Sequence, residues 1–354
     1  MVPLLAMVCT LAAQDPVKPL APPASQELPP GILWRVPLNA PPASSPLIAG
    51  DRIFASVLPG SVIAYRLADG TELWRAALNP EKPVVVDADR LLVASGEAVH
   101  AFSVADGTLA WRTPTGELTA PLLAKDGWVI ASSATKLFAI RGSDGTVVWS
   151  RDIGPQRQRP AISGDLLFVP LASGHVVAHD LTTGEIRWDA SLGGAPAEPL
   201  VVGDRLYVGA TDKRFYALDA TDGEIDWGPW KVGAEIRGTA ASDGEHVFFA
   251  ALDNVVRAVD RVTGNQRWQS AVPFRPFEGP RVVGGTVVVA GLNTDVLQLN
   301  VSTGTNAGKI TFPELLAVAP AYGTHEGVIV VAGISGGLSE AWKLWLASPA
   351  ATVR

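Results

Sequence analysis

The segment ALDATDGEIDW, from Ala217 to Trp227, contains the motif from which the fold can be inferred. Its alanine is followed six positions later by a glycine, and four positions after that by a tryptophan. The same Ala/Gly/Trp unit occurs six times, with its glycine at Gly70, Gly107, Gly145, Gly184, Gly223 and Gly264. Self-similarity at a fixed period of this length is typical of solenoids and propellers.

The tryptophans of the unit, together with one at the end of a shortened copy, are 37 to 41 residues apart. They are Trp34, Trp74, Trp111, Trp149, Trp188, Trp227 and Trp268. Forty residues beyond Trp268 lies Gly308, preceded by Gly304, which indicates a further copy that has lost its tryptophan.

Each repeat contains four short runs rich in Val, Ile, Leu and Tyr, separated by Gly and Asp, as between Glu198 and Trp227. Asp-Gly and Thr-Gly pairs favour hairpin turns, because glycine adopts a positive φ without strain. No amphipathic run of helical length interrupts the pattern. Four antiparallel strands in each repeat predict an all-β chain folded as a β-propeller, with one blade for each repeat.

Counting repeats predicts eight blades. Seven units run from about Ser45 to Phe312, and an eighth begins at Ala319 but ends before an outer strand. The segment GILWR, residues 31–35, has the sequence of that missing strand. We therefore expect an eight-bladed propeller over residues 31–354, closed by its N-terminal strand, which would remove exposed sheet edges.

The first thirty residues have a different composition. Residues 1–13 are uncharged, largely apolar and end in small residues, which is typical of a secretory signal peptide. Residues 14–30 contain six prolines and are predicted to be an extended linker. Lipidation of Cys9 is not expected, because Val8 rather than a small residue precedes it. The sequence thus predicts an exported protein.

Composition further restricts the class of protein that the sequence can encode. The 354 residues are 47% hydrophobic and 18% charged, with a net charge of −7, which excludes disorder for most of the chain. Scattered cations and a negative net charge make nucleic acid an unexpected partner. The apolar N-terminal stretch is too short to span a bilayer. The single cysteine excludes an intramolecular disulfide.

The Ala/Gly/Trp unit resembles the tryptophan-docking motif of the pyrroloquinoline quinone (PQQ) dehydrogenase propellers and of their non-catalytic, BamB-like relatives. This resemblance covers nearly the whole chain after the linker. It implies that the seven motif tryptophans are structural, each packing between blades against the small residues of a neighbouring repeat.

The resemblance also implies what a PQQ enzyme should contain: an adjacent Cys-Cys disulfide, a Ca²⁺ site and a catalytic Asp. The chain has no Cys pair, and Asp180, Asp219 and Asp260 share one repeat position, which favours turn capping. His175 and His179 lie four residues apart on a strand, roughly 13 Å from each other, too far to share a metal. We therefore predict no catalytic, cofactor-binding or metal-binding residues, and PQQ is not expected.

Two connections between repeats stand out: residues 154–160 contain two arginines, and residues 273–278 contain an arginine between two phenylalanines. Arg237 occupies the equivalent place in the connection between them. Arginine and aromatic residues on one face are the composition of interface anchors. The candidate partner-binding residues are Arg157, Arg159, Arg237, Phe274, Arg275 and Phe277. An alternative is that the two phenylalanines plug the channel mouth and the arginines are solvated.

Together with this resemblance, the sequence favours a non-catalytic, monomeric scaffold of the bacterial cell envelope, in the periplasm or on the periplasmic face of the outer membrane. It would have a BamB-like role in outer-membrane protein assembly. Its expected partner is a protein, a component of the barrel-assembly machinery. The alternative is a quinoprotein-type dehydrogenase or a sensor that binds PQQ or another small ligand.

Overall fold

The computed structural model describes residues 32–38, 40–276, 278–283, 285–312, 315–323, 329–334 and 342–347. Within these ranges the regular structure consists of strands alone, and no helix occurs. The predicted signal peptide, the proline-rich linker and Cys9 lie outside the described residues.

Seven sheets have the same construction: four consecutive antiparallel strands, hydrogen-bonded in chain order. We number these sheets as blades one to seven; strand β1 (Ile32–Pro37) precedes them and belongs to another sheet. Blades one and two comprise β2 (Leu47–Ala49), β3 (Arg52–Val57), β4 (Ser61–Arg66) and β5 (Glu72–Ala76), then β6 (Val85–Asp87), β7 (Arg90–Ser95), β8 (Ala98–Ser103) and β9 (Leu109–Pro114). Blades three and four comprise β10 (Leu123–Lys125), β11 (Trp128–Ser132), β12 (Lys136–Arg141) and β13 (Val147–Asp152), then β14 (Ala161–Ser163), β15 (Leu166–Pro170), β16 (His175–Asp180) and β17 (Ile186–Ser191).

Blades five and six comprise β18 (Leu200–Val202), β19 (Arg205–Gly209), β20 (Arg214–Asp219) and β21 (Ile225–Lys231), then β22 (Ala241–Ser242), β23 (His246–Ala251), β24 (Val255–Asp260) and β25 (Gln266–Ala271). Blade seven comprises β26 (Arg281–Val283), β27 (Thr286–Ala290), β28 (Asp295–Asn300) and β29 (Asn306–Thr311). The two central strands of each blade are the most buried, since neighbouring blades cover both of their faces.

The prediction of eight blades is wrong, because the chain forms a seven-bladed propeller. The sheet that repeat counting treated as an eighth blade is built differently, with five strands drawn from both ends of the described chain. These strands are β1, β30 (Leu315–Leu316), β31 (Ala321–Tyr322), β32 (Ile329–Ile334) and β33 (Trp342–Ala347). Both β30 and β31 pair with β32, and β1 pairs with β33. We call this the terminal sheet.

The terminal sheet lies between blade seven and blade one. Trp34 of β1 and Ala321 of β31 pack in one cluster with Ile53 of blade one. Leu316 of β30 packs in another cluster with Phe312, which follows blade seven. These apolar contacts join the two ends of the ring of blades, which leaves neither blade one nor blade seven with an uncovered face.

The motif tryptophans join each sheet to the next. Each indole Nε1 donates a hydrogen bond of 2.8–3.2 Å to a backbone carbonyl of the following blade. For example, Trp188 of blade four donates to the carbonyl of Ala220 in blade five. The ring of Trp188 lies against Gly223, where a Cβ atom would be 2.6 Å from Cε3. The motif glycine is therefore required both by its φ of +77° and by the neighbouring ring.

A pair of substitutions separates these two requirements. Gly164 also has a positive φ, +58°, but a Cβ atom there would meet nothing within 4 Å. We expect Gly164→Ala to cost about 1–2 kcal/mol of unfolding free energy through backbone conformation alone. Gly223→Ala should cost a further 1–3 kcal/mol or so, because the Trp188 ring must move. Urea denaturation of both variants measures the difference, and equal losses would contradict the docking role of Gly223.

Candidate functional site: the channel and an inter-blade cleft

The innermost strands surround a central channel. A proline precedes most of them, at Pro46, Pro83, Pro121, Pro160, Pro199, Pro280 and Pro320. Proline suits the start of an edge strand, because it has no N–H group to leave unpaired. The channel has a cavity of about 440 Å³ lined by residues from all seven blades and the terminal sheet.

The ionisable side chains of the channel lie together on one side. Arg159 of the connection before blade four is 3.5 Å from Glu198, which precedes blade five. The Arg159 Nε also donates to the Leu122 carbonyl at 2.9 Å. Arg281 of β26 is 3.7 Å from Glu278. Four charged groups, from the connections before blades four, five and seven and from strand β26, thus line one cavity.

Burial changes the proton affinity of two of the lining groups. The pKa of the Glu198 carboxyl is raised chiefly by burial, against the opposing effect of Arg159 and Arg281. Burial also raises the pKa of the Tyr322 hydroxyl far above its usual range. Because 28% of the Glu198 side chain is still accessible from the channel, a ligand could reach its carboxyl.

A smaller cleft lies between blades four and five, next to the channel mouth. Its volume is about 280 Å³, and Gln158 and Arg237 line both cavities. Arg157 is exposed on its blade-four side, and Arg237 follows blade five. The remaining walls come largely from small or apolar residues, Pro170, Ala172, Ala195, Pro196, Ala197 and Ile236.

The structure brings together three of the six candidate partner-binding residues. Arg157 and Arg237 line the cleft, and Arg159 and Arg237 line the channel. Arg275 is exposed but lines neither cavity, and Phe277 lies outside the described residues.

Phe274 has a different environment from the one that its sequence context suggested. Only 7% of it is exposed, and it packs with Trp268, Val272 and Val289 between blades six and seven. A Cβ atom at Gly291 would lie 2.3 Å from its ring. This interior position supports neither a direct partner contact nor a plug at the channel mouth.

Sequence reasoning missed four of the channel residues: Glu198, Glu278, Arg281 and Tyr322. The repeat contains a pattern that could have identified two of them, Glu198 and Arg281. Glu198 and Arg159 directly precede the proline that opens an inner strand, and Arg281 directly follows one. Aligning the repeats on that proline, rather than on the tryptophan, would have selected these positions.

The remaining histidines and aspartates have local partners. The Asp180 and Asp260 carboxylates each accept two backbone N–H groups of the turn that follows, and Asp219 accepts that of Thr221. Hydrogen bonds from Arg187 and from the turn hold the pKa of Asp180 well below its usual range. His175 contacts Asp189, whereas His179 contacts the Gly184 carbonyl.

Within the described ranges, no group of three or more His, Cys, Asp or Glu side chains could hold a metal ion. Nor do the described residues contain a helix that is long and apolar enough to cross a membrane.

Comparison with solved structures identifies the same architecture in other proteins. BamB from Moraxella catarrhalis superimposes with a TM-score of 0.71 at 18% identity, covering 90% of this chain and 97% of that one. The C-terminal WD40 domain of Sif2 gives 0.74 at 11% identity, covering 90% and 98%. The computationally designed Ika8 protein gives 0.69 at 12% identity, covering 87% and 97%. At these identities the likeness shows the fold alone.

Sequence comparisons are more specific. Outer membrane protein assembly factor BamB from Legionella pneumophila (strain Paris) is 28% identical over 159 residues. That match covers 40% of this chain and 41% of the relative, so the chain spans about two-fifths of the length of the curated relative it matches. The family model described as outer membrane protein assembly factor BamB matches residues 58–198, 156–235 and 193–333. Because these matches together span most of the blades, the chain belongs to the BamB family of PQQ-like repeat propellers.

Proposed function

We propose that this protein is a non-catalytic binding scaffold of the bacterial cell envelope that takes part in outer-membrane protein assembly. Its partner would be a component of the barrel-assembly machinery. Family membership supports an assembly role, since the matching relatives are named as outer membrane protein assembly factors. The observation that carries the proposal is the cleft between blades four and five, with an arginine on either side.

The cleft is built for contact with another protein rather than for chemistry. Backbone hydrogen bonds from Ala197 to Gly209 and from Thr211 to Ala195 hold its walls in place. A rigid surface loses little conformational entropy on binding. The small side chains allow a partner segment to approach closely, and Arg157 favours acidic groups on that segment. Arg237 is already paired with Glu235 at 2.7 Å, so only the rest of its guanidinium group is available to such a segment.

Charge reversal on both sides of the cleft tests the proposal. We expect the double variant Arg157→Glu, Arg237→Glu to lose capture of a barrel-assembly component from envelope extract, because hot-spot changes cost about 2 kcal/mol or more each. Captured proteins are identified by mass spectrometry. A double variant of two exposed arginines outside the cleft, Arg112→Glu with Arg141→Glu, has the same change in charge and should capture normally.

Two results would count against this reading. Undiminished capture by the cleft variant would mean that the partner docks elsewhere. Saturable turnover of an alcohol or sugar in a dye-linked assay, after PQQ and Ca²⁺ are added, would instead support the quinoprotein alternative.

A further inference from the structure

One loop position differs between the two sides of the ring. It lies between the second and third strands of each blade, directly after the residue that meets the incoming connection, as Leu58 follows Val57 and Leu292 follows Gly291. The position is a leucine in blades one, six and seven and a smaller residue in blades two to five. The leucines are Leu58, Leu252 and Leu292, and the smaller residues are Gly96, Ala134, Ala172 and Thr211.

These leucines form one exposed row together with a leucine of the terminal sheet. Leu292 is 71% exposed and Leu58 is 41% exposed, whereas Leu252 is half-buried. Leu315 of β30 is 51% exposed, and the N–H of the residue after it donates to the Asn293 carbonyl at 3.0 Å, which places β30 beside the loop of blade seven. Single exposed apolar residues are ordinary, but these four occur on four consecutive sheets. We call Leu58, Leu252, Leu292 and Leu315 the leucine arc.

The leucine arc lies on the same face of the ring as the cleft, but on another side of it. Ala172 and Thr211, which line the cleft, occupy the same loop position in blades four and five. The terminal sheet, at the middle of the arc, is on the opposite side of the ring from blade four. None of the four leucines lines the cleft or the channel cavity. The arc is therefore a separate surface of projecting side chains.

Arg275 adds a positive charge beside the arc. It is exposed, and its backbone carbonyl lies against Gly291, the residue before Leu292. No ion pair in the described part of the chain involves Arg275. Three acidic side chains near the arc lie 2.7–3.7 Å from other basic groups: Asp253 from Arg257, Asp295 from Lys309 and Glu278 from Arg281. The charge of Arg275 is therefore left for an anion outside the chain.

We propose that the leucine arc binds a lipid surface that contains anionic headgroups. Leu58, Leu292 and Leu315 insert at the boundary between headgroups and acyl chains, and Arg275 pairs with a headgroup phosphate. Lipids close around separate projecting side chains, whereas a protein partner is bound chiefly through anchors that fill pockets. Contact on this side leaves the cleft between blades four and five accessible, so this proposal and partner docking can each fail without the other.

A fluorescent dye on the arc tests its contact with lipid. Because Cys9 is the one cysteine of the chain, Cys9→Ser with Leu292→Cys places a nitrobenzoxadiazole dye at residue 292 of the full-length protein. This dye brightens when it leaves water. We expect at least a twofold increase on adding vesicles of phosphatidylcholine with one-third phosphatidylglycerol. The same dye introduced through Ile186→Cys should not respond, since Ile186 is 65% exposed on the outer strand of blade four.

Substitutions separate the apolar contribution of the arc from its charge. With the dye at residue 292, Leu58→Ser combined with Leu315→Ser should weaken vesicle binding at least tenfold, because two inserting side chains are lost. The matched control, Leu109→Ser with Ile225→Ser, removes two side chains of similar exposure from outer strands and should leave binding unchanged. Arg275→Gln should weaken binding to vesicles that contain phosphatidylglycerol, but not to pure phosphatidylcholine.

Circular dichroism melts show which variants are folded. An unchanged dye at residue 292 on adding vesicles, or equal losses in the folded arc and control variants, would overturn the proposal. So would a dye that brightens with rising protein concentration in the absence of lipid, because the arc would then be an interface between two copies of this chain.

Discussion

Replacing Trp188 by alanine is expected to lower the free energy of unfolding by about 3–5 kcal/mol. The indole is 8% exposed and packs in one cluster with Phe168 of blade four and Leu206 and Leu218 of blade five. Its removal would leave a cavity between two blades and leave the Ala220 carbonyl without the indole N–H as donor. The midpoint of urea denaturation, followed by circular dichroism, measures the loss.

Ile186→Ala provides the matched control. This residue lies two positions before Trp188 on the same strand, but it is 65% exposed. Its truncation removes little buried area, so the midpoint should shift by less than about a quarter of the Trp188→Ala shift. Similar shifts for both variants would mean that strand β17 is sensitive to any change, and that the indole has no special part in joining blades four and five.

Replacing Phe274 by alanine should be comparably destabilising, by about 3–5 kcal/mol. The ring is 7% exposed and fills the space between Trp268 of blade six and Val289 of blade seven. We expect a lower denaturation midpoint, together with partner capture that is normal wherever the variant is still folded. Selective loss of capture without loss of stability would show that Phe274 contacts a partner after all.

The next residue, Arg275, is the control for Phe274. It lies in the same connection and is exposed, so Arg275→Ala should change the midpoint by no more than about 0.5 kcal/mol. Comparing the Phe274 and Arg275 variants separates the loss of the buried ring contact from any general effect of a substitution in this connection.

The functional positions could be predicted only in part. Arg157, Arg159 and Arg237 could be predicted as partner-binding candidates, because charged side chains in the loops between strands tend to be exposed. In the same way, Phe274 looked like an exposed anchor beside Arg275. Whether a loop side chain points outward or between blades depends on the neighbouring blade, which local sequence does not specify. Glu198 and Arg281 became neighbours only when seven inner strands surrounded one axis.

Repetition along the chain is enough to predict the all-β architecture and the four-stranded blade unit. A period of 37 to 41 residues places a motif Gly at the corresponding point of every blade and a Trp at that of the first six. The small residue is required wherever the ring of the preceding sheet lies against it. The number of blades and the construction of the terminal sheet, by contrast, depend on tertiary contacts. Five strands from both ends pair there, and β30 and β31 share one partner strand. The segment GILWR suggested that an N-terminal strand pairs with the last repeat, as β1 does with β33. That β30 and β31 both pair with β32 depends on how the ring closes, and no local pattern of residues encodes it.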